Sequence, residues 1–272
     1  MKKVLSVAFL SVGVFLFSTV AMAYDDLITN DTSIIKEAGS MTAQGNIFYQ
    51  TADKAFDENG DKVDVDFTGF RIPLKFSWVV LDKLEGFAIL PFASDDFNGE
   101  SNSGIGDMWL GAKYGLMSDG LLTLRGSLDI PTGDDDKGLG NGGGFGIDLG
   151  AMTTKQFDAI KINGQAGLYW YAEDSDTKWQ PGIGFYADAE GSYKFTDKLA
   201  GQIGLEYFAA GDGKLDGTKD TSSAYYQLEL NVGANYLFTD KFGIKGDILY
   251  TFIGENVDNS IGILAALTYA VK

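Results

Sequence analysis

The feature that most restricts this chain is a pair of zigzags separated by a wet loop. Residues 121–130 read LLTLRGSLDI, residues 131–143 PTGDDDKGLGNGG and residues 144–156 GFGIDLGAMTTKQ. In the first arm Leu122, Leu124, Leu128 and Ile130 share one side, and Thr123, Arg125, Ser127 and Asp129 the other. In the second, Phe145, Ile147, Leu149 and Ala151 oppose Asp148, Gly150, Met152 and Thr154. A period of two belongs to an extended strand, whose successive side chains point to opposite faces. Each arm has about the 9–11 residues that a tilted strand needs to cross a bilayer, and the Gly, Asp and Asn between them do not belong in hydrocarbon. An open sheet edge would leave backbone groups without partners in lipid, so such strands must close on themselves. The expectation is an all-β chain: an antiparallel transmembrane β-barrel, apolar outside and polar inside.

Met1 to Ala23 carries Lys2 and Lys3, an apolar run from Val4 to about Val20 and the triplet Ala21-Met22-Ala23. These are the three parts of a secretory signal peptide, cut before Tyr24. A retained anchor is the alternative, because the run is close to the lower limit for a spanning helix. Beyond it no apolar run is long enough to span as a helix, so insertion must be as a closed barrel. Loss of Lys2 and Lys3 leaves 19 basic residues against 38 acidic ones, a formal charge of −19. Phosphate binding needs clustered Lys and Arg, so nucleic acid is not an expected partner. The absence of cysteine, with Gly at 36 and Pro at 4, suits long twisted strands that need no staples. Tyr24 to Gly39 is expected to be a periplasmic segment, either a plug or a loose tail, and residues 40–272 the barrel.

Short polar breaks at 81–83, 118–120, 157–158, 196–198 and 239–241 set a repeat. Their aspartates Asp82, Asp119, Asp158, Asp197 and Asp240 recur every 37 to 43 residues, room for two strands and a loop. Midway lie long polar segments at 94–103, 131–143, 173–181 and 210–222, and a shorter one at 254–259. Short turns alternating with long loops are the pattern of outer-membrane barrels, short on the periplasmic side. The strands between them are predicted at 41–51, 63–79, 84–92, 105–116, 121–130, 144–154, 159–171, 182–195, 199–209, 224–238, 242–253 and 260–271. That makes about twelve, with ten and fourteen as alternatives. Residues 84–92 alternate poorly, the phase slips near Thr68-Gly69 as at a bulge, and Pro73 removes a ladder hydrogen bond.

On the apolar phase, aromatic residues collect at both strand ends. Trp78, Tyr114, Tyr193, Phe195, Tyr236, Phe238 and Phe242 lie beside the short turns, and Trp170, Tyr207, Tyr226, Tyr250 and Phe252 toward the long loops, as interfacial girdles do. The opposite phase holds Arg71, Lys75, Asp107, Trp109, Lys113, Arg125, Asp129, Asp148, Lys161, Tyr169, Asp188, Glu190, Glu206, Glu229, Lys245 and Asp247. A Lys or Arg facing the lipid midplane costs about 2–4 kcal/mol, so these residues are predicted to line the lumen. A soluble sandwich or lipocalin-like barrel would need that polar phase outside. Tyr171, Tyr186, Phe208 and Tyr225 also fall inside, where they either stack against an aromatic ligand or fill volume.

Between Gly104 and Phe157 the sequence resembles a known family. The motifs are Gly104-Ile105-Gly106-Asp107-Met108-Trp109-Leu110-Gly111-Ala112-Lys113-Tyr114, then Leu128-Asp129-Ile130-Pro131-Thr132-Gly133-Asp134, then Lys137-Gly138-Leu139-Gly140. They are similar to the outer-membrane family known as "MetA-pathway of phenol degradation". The resemblance implies an outer-membrane β-barrel with a role in passage of small, often aromatic, molecules, and it carries over no catalytic residue. One departure is the C-terminus. Barrels of this type commonly end on an aromatic residue, whereas here alternation persists through Ile263, Ala265, Leu267, Tyr269 and Val271 to a final Lys272.

The chain has no His and no Cys, which removes His-dependent Ser hydrolysis and Cys–His nucleophilic chemistry. Glu190, Glu206 and Glu229 could in principle supply a glycosidase-like pair of acids. A charge network with Lys161, Lys194 and Lys245 is the plainer reading, and no enzyme is expected. Acidic loop clusters such as Asp134, Asp135 and Asp136 offer the oxygens that Ca²⁺ takes. They lack the spacing and downstream Glu of an EF-hand loop, so solvated charge is expected rather than a metal, and no cofactor is implied. Two functions stay open: a channel for small, aromatic or hydrophobic solutes through a charged lumen, or a closed structural or surface-interaction barrel with acidic loops outside. The partners would be outer-membrane lipid and lipopolysaccharide and, for the channel, a small solute.

Overall fold

The computed structural model describes residues 33–97, 99–134, 137, 139–140 and 144–271. The expected signal peptide at 1–23, the adjoining 24–32, Asp135 and Asp136 lie outside the described residues. Twelve strands form the wall: β1 (Met41–Phe56), β2 (Lys62–Leu81), β3 (Leu84–Phe97), β4 (Met108–Gly115), β5 (Thr123–Ile130) and β6 (Gly146–Phe157), then β7 (Ile160–Tyr171), β8 (Gly184–Lys194), β9 (Leu199–Ala210), β10 (Tyr225–Thr239), β11 (Phe242–Glu255) and β12 (Ile261–Ala270). Each is antiparallel to the next in chain order, and β1 pairs with both β2 and β12, from Thr42↔Ala270 to Thr51↔Ile261. The sheet is therefore closed, with no edge left to seek another partner.

The alternation read in the sequence decides which face is which. Leu149, Leu168, Ile203, Ile248 and Ile263 point outward and are more than half exposed, while Asp148, Tyr169, Gln202, Asp247 and Leu264, each one residue away, are buried inside. Such a continuous apolar exterior would be unstable in water and is the face a bilayer requires. Of the expected girdles, Trp78, Tyr114, Tyr193, Phe195, Tyr236 and Phe238 stand out at the short-turn end and Trp170, Tyr207 and Tyr250 at the other.

The structure departs from the sequence reading at two places, 94–103 and 210–222. Residues 94–103 are not a loop: β3 continues to Phe97, and Glu100–Ile105 pairs back on it from Phe97↔Glu100 to Phe92↔Ile105. The tight turn uses Gly99 at a φ of +84°, and Asp96 accepts the Gly99 amide at 3.1 Å. Small polar residues that looked like a loop thus serve as a two-stranded extension above the membrane. The bulge expected near Thr68-Gly69 lies on the same strand a little earlier, where Val65 and Asp66 of β2 stand opposite the single Asp53 of β1, between Ala52↔Phe67 and Lys54↔Asp64. Residues 210–222 also carry strand, since Gly213–Leu215 pairs with both Thr218–Asp220 and Trp179–Gln180. The poor alternation of β3 has a simple cause: its inward face carries Phe87 and Ile89, both buried, between Glu85 and Ala93. Pro73 faces Pro91 across the β2–β3 pair, and Asn46 Nδ2 donates to the Pro73 carbonyl at 3.3 Å where the β1–β2 register is interrupted.

Candidate functional site: the lumen

Two stretches of wall carry most of the inward charge, and they are built differently. On β2 to β5 each cation has a specific neighbour. Arg71 pairs with Asp95, Lys113 Nζ lies 2.9 Å from Glu85 Oε1, and Arg125 Nη1 lies 3.3 Å from Asp148 Oδ1 of β6. The Lys75 ammonium sits over the Phe87 ring at 5.0 Å and the Arg125 guanidinium over the same ring at 5.6 Å. A cation over an aromatic face is held by the ring quadrupole. Phe87 therefore links two strands that are not hydrogen-bonded to each other.

On β8 to β11 acids predominate. Asp188 is in register with Glu206, and Glu206 with Glu229, so three carboxylates stand side by side on adjacent strands. Asn231 Nδ2 donates to Glu206 Oε1 at 2.7 Å, and Thr251 Oγ1 to Glu229 Oε2 at 3.1 Å. Lys245 Nζ lies 3.1 Å from Asp247 Oδ2 and 3.6 Å from Glu190 Oε2, and Gln202 also donates to Asp247. Among the described residues, Asp188 Oδ2, Glu206 Oε2, Glu229 Oε1 and Asn231 Oδ1 have no hydrogen-bond partner.

Above the charges, toward the long loops, the lumen is aromatic. Tyr169, Tyr171, Tyr186, Phe208 and Tyr225 pack there with Trp179 from the loop sheet. Tyr169 and Tyr225 join through their hydroxyls, and the Tyr186 hydroxyl accepts from Arg125 at 3.2 Å and donates to Asp148 at 3.2 Å. Two glycines make these placements possible. A Cβ on Gly184 would stand 1.8 Å from the Tyr169 ring, and one on Gly167 would stand 2.3 Å from the Tyr186 hydroxyl.

The periplasmic end is half covered. Ser33 donates its amide to Thr154 Oγ1 at 3.0 Å and its hydroxyl to the Gly120 carbonyl, and accepts from Thr123 Oγ1 at 2.5 Å. The chain then passes Gly115, where Ile35 lies close, and joins β2 through the Gly39 amide to the Val79 carbonyl at 2.8 Å. Residues 33–40 thus strap the mouth along β6, β5, β4 and β2. The other half holds a cavity of about 190 Å³ lined by Lys161, Glu190, Ser192, Lys194, Ala200 and Asn235, among others. At its lip Lys194 Nζ pairs with Asp197 at 2.9 Å, and this hydrogen bond holds the Asp197 carboxyl below the usual range. At the opposite end, in the loop before β12, burial alone pushes Asp258 up to about 7.

The structure places the sequence-predicted residues as follows. Arg71, Lys75, Trp109, Lys113, Arg125, Asp129, Asp148, Tyr169, Glu206, Glu229, Lys245 and Asp247 point inward and are buried, while Lys161, Asp188 and Glu190 are half-buried on the same face. Asp107 is buried too, but it closes a turn: its carboxylate accepts the Thr132 and Gly133 amides at 2.9 and 2.8 Å. Of the lysines expected to bridge the lumen acids, Lys245 does so, whereas Lys194 turns to Asp197. Asp134 is engaged by Lys137 at 2.6 Å, and among the described residues no group of acids is placed to hold a metal ion. Asn231, Thr251 and Phe87 were not singled out in the sequence. Their inward phase was the available signal, and an attention to charge passed over it.

Comparison with known proteins agrees with this geometry. Among solved structures, the COG4313 outer membrane channel from Pseudomonas putida F1 superposes with a TM-score of 0.76 at 21% identity, over 88% of this chain and 97% of that one. The translocator domain of the autotransporter NalP from Neisseria meningitidis gives 0.56 at 13% identity, over 94% and 98%. The KdgM porin, solved with disordered oligogalacturonate, gives 0.51 at 10%, over 84% and 99%. At such identities the likeness speaks for the fold. No curated protein matches the sequence. The model of the family described as "Putative MetA-pathway of phenol degradation" matches residues 52–257, well beyond the hairpins where the resemblance was first read, and the chain belongs to that family.

Proposed function

We propose that this protein is an outer-membrane channel for small aromatic or hydrophobic solutes, with residues 1–23 removed on export. The observation that carries the reading is the interior: a closed twelve-stranded wall around polar side chains, with an aromatic zone at one end and an open cavity at the other. A barrel of that strand number has an interior wider than the eight-stranded kind that side chains fill. The family and the channel from Pseudomonas putida F1 support the same reading. The strap of residues 33–40 would narrow the periplasmic exit and leave passage on the β7 to β10 side.

One observation favours the alternative of a closed structural barrel: the ion pairs on β2 to β5 involve side chains almost wholly buried. Single-channel recording in planar bilayers separates the two. The channel gives discrete steady openings and, in proteoliposomes, uptake of phenol faster than of a sugar of similar mass. A barrel that stays silent and admits neither is closed. N-terminal sequencing of the outer-membrane protein should begin at Tyr24.

A further inference from the structure

Across β8, β9 and β10 two rows of inward residues lie one above the other. Tyr186 is in register with Phe208, and one step toward the periplasm Asp188 is in register with Glu206 and Glu206 with Glu229. Neighbouring strands are about 4.8 Å apart, so the carboxylates form a line roughly 10 Å long beneath a shelf of rings. Like charges directly opposite repel, and the nearby cations make their ion pairs with other acids, Lys245 with Asp247 and Glu190 and Arg125 with Asp148.

Glu206 and Glu229 are 3% and 6% exposed, yet each keeps one oxygen without a partner among the described residues, as does the half-buried Asp188. Asn231 is independent of the acids and says the same. It is 4% exposed, its Nδ2 is spent on Glu206, and its Oδ1 has no partner. Buried acceptors are normally satisfied. Such acceptors also occur at Asp95, Asp148 and Asp258, but here four stand on three adjacent strands with no unsatisfied donor among them, which describes a site shaped for positive charge and N–H groups. The rings of Tyr186 and Phe208, themselves 2% and 1% exposed, roof the patch and, once turned toward a ligand, would add apolar contact and attraction for a cation.

We propose that this patch binds a protonated aromatic amine, its ring against Tyr186 and Phe208 and its ammonium among Glu206, Glu229 and Asn231. The proposal deepens the channel reading, on which it rests for access, and narrows the solute from aromatic to cationic aromatic. A bare metal ion fits less well, because the carboxylates stand in a line rather than around a point, and among the described residues no acid group is placed to hold one.

The test uses the full-length barrel in detergent with phenethylammonium as probe, and benzyl alcohol and phenylacetate as neutral and anionic counterparts. Calorimetric titration should show the ammonium binding about tenfold or more tighter than either counterpart, the scale of a charge-assisted hydrogen bond. The pair Glu206→Gln with Glu229→Gln should remove that preference and leave benzyl alcohol binding unchanged. If the double variant does not assemble, Glu229→Gln alone should weaken ammonium binding severalfold. Equal affinity for the three probes, or wild-type ammonium affinity in whichever variant assembles, overturns the proposal. Titration needs no bilayer, so its failure is separable from that of the channel reading. A barrel that binds the amine but conducts nothing sinks the channel and keeps the site. One that passes neutral aromatics without preferring the amine does the reverse.

Discussion

The β2 to β5 wall and the β8 to β11 wall fill the same lumen with charged side chains, but only the first holds about as many buried cations as acids. There Arg71, Lys113 and Arg125 meet Asp95, Glu85 and Asp148, and Lys75 meets a ring. On the second, Lys245 pairs with Glu190 and Asp247, beside three further acids, Asp188, Glu206 and Glu229. Taking a charge out of water costs several kcal/mol, and close pairing is what offsets it. A wall whose opposite charges nearly balance is explained by the need to fill the interior. A wall left with an excess of one sign is not, and that excess is where a function belongs.

The contrast is sharpest at Lys113, which is 1% exposed beside Glu85. Lys113→Ala strands a buried carboxylate, so denaturant unfolding of the refolded barrel should lose about 3–5 kcal/mol. A loss below 1 kcal/mol would mean that the paired wall is no more structural than the acidic one.

Gly184→Ala probes how tightly the acidic side is built above its charges. The new methyl would meet the Tyr169 ring, which is 3% exposed and hydroxyl-linked to Tyr225. Overpacking of this kind costs about 1–3 kcal/mol. The near-ultraviolet circular dichroism of the tyrosines should change with it, because the ring must leave its place.

Asp258 is a third case, an acid whose carboxyl is raised by burial and not by a charged neighbour. Burial raises its carboxyl from 3.8 to about 7. The folded state then binds a proton that the unfolded state releases, so this contribution to stability is present below about pH 4 and is lost as pH rises through about 7. Asp258→Asn should remove this site's share of the loss across that window and be more stable than wild type at pH 8. A wild-type stability that climbs from pH 5 to pH 8 at this site would contradict the sign.

Much of this was legible in the sequence, for a reason that also sets the limit. A strand's face is a local property, so Arg125, Asp148 and Glu229 could be assigned to the interior from their immediate neighbours. Pairing is not local. Nothing near Lys245 announces that it will reach Glu190 rather than leave it to Lys194, and nothing near Ser33 announces bonds to Thr123 and Thr154, which lie 90 and 121 residues away. The loop read at 94–103 failed differently, because Ser and Asp serve a turn and an exposed strand pair equally well. Asn231 was passed over because a neutral amide gives no charge signal, although its inward phase was as plain as that of Glu229.

The smallest expected effect carries the most weight for the comparison. Glu206→Gln and Glu229→Gln together replace two acids in a row where acids outnumber cations, and they leave shape and one acceptor at each position. If the acids were structural in the way Lys113 is, the double variant would lose several kcal/mol. If they are kept for a ligand, relief of like-charge repulsion between facing residues and of the desolvation of two carboxylates should leave stability unchanged or raised by up to about 1 kcal/mol. The same denaturant titration that reads Lys113→Ala reads this one. A barrel as stable as wild type that has lost its preference for a cationic ring would show that the two walls, both lined with charge, are held for different purposes.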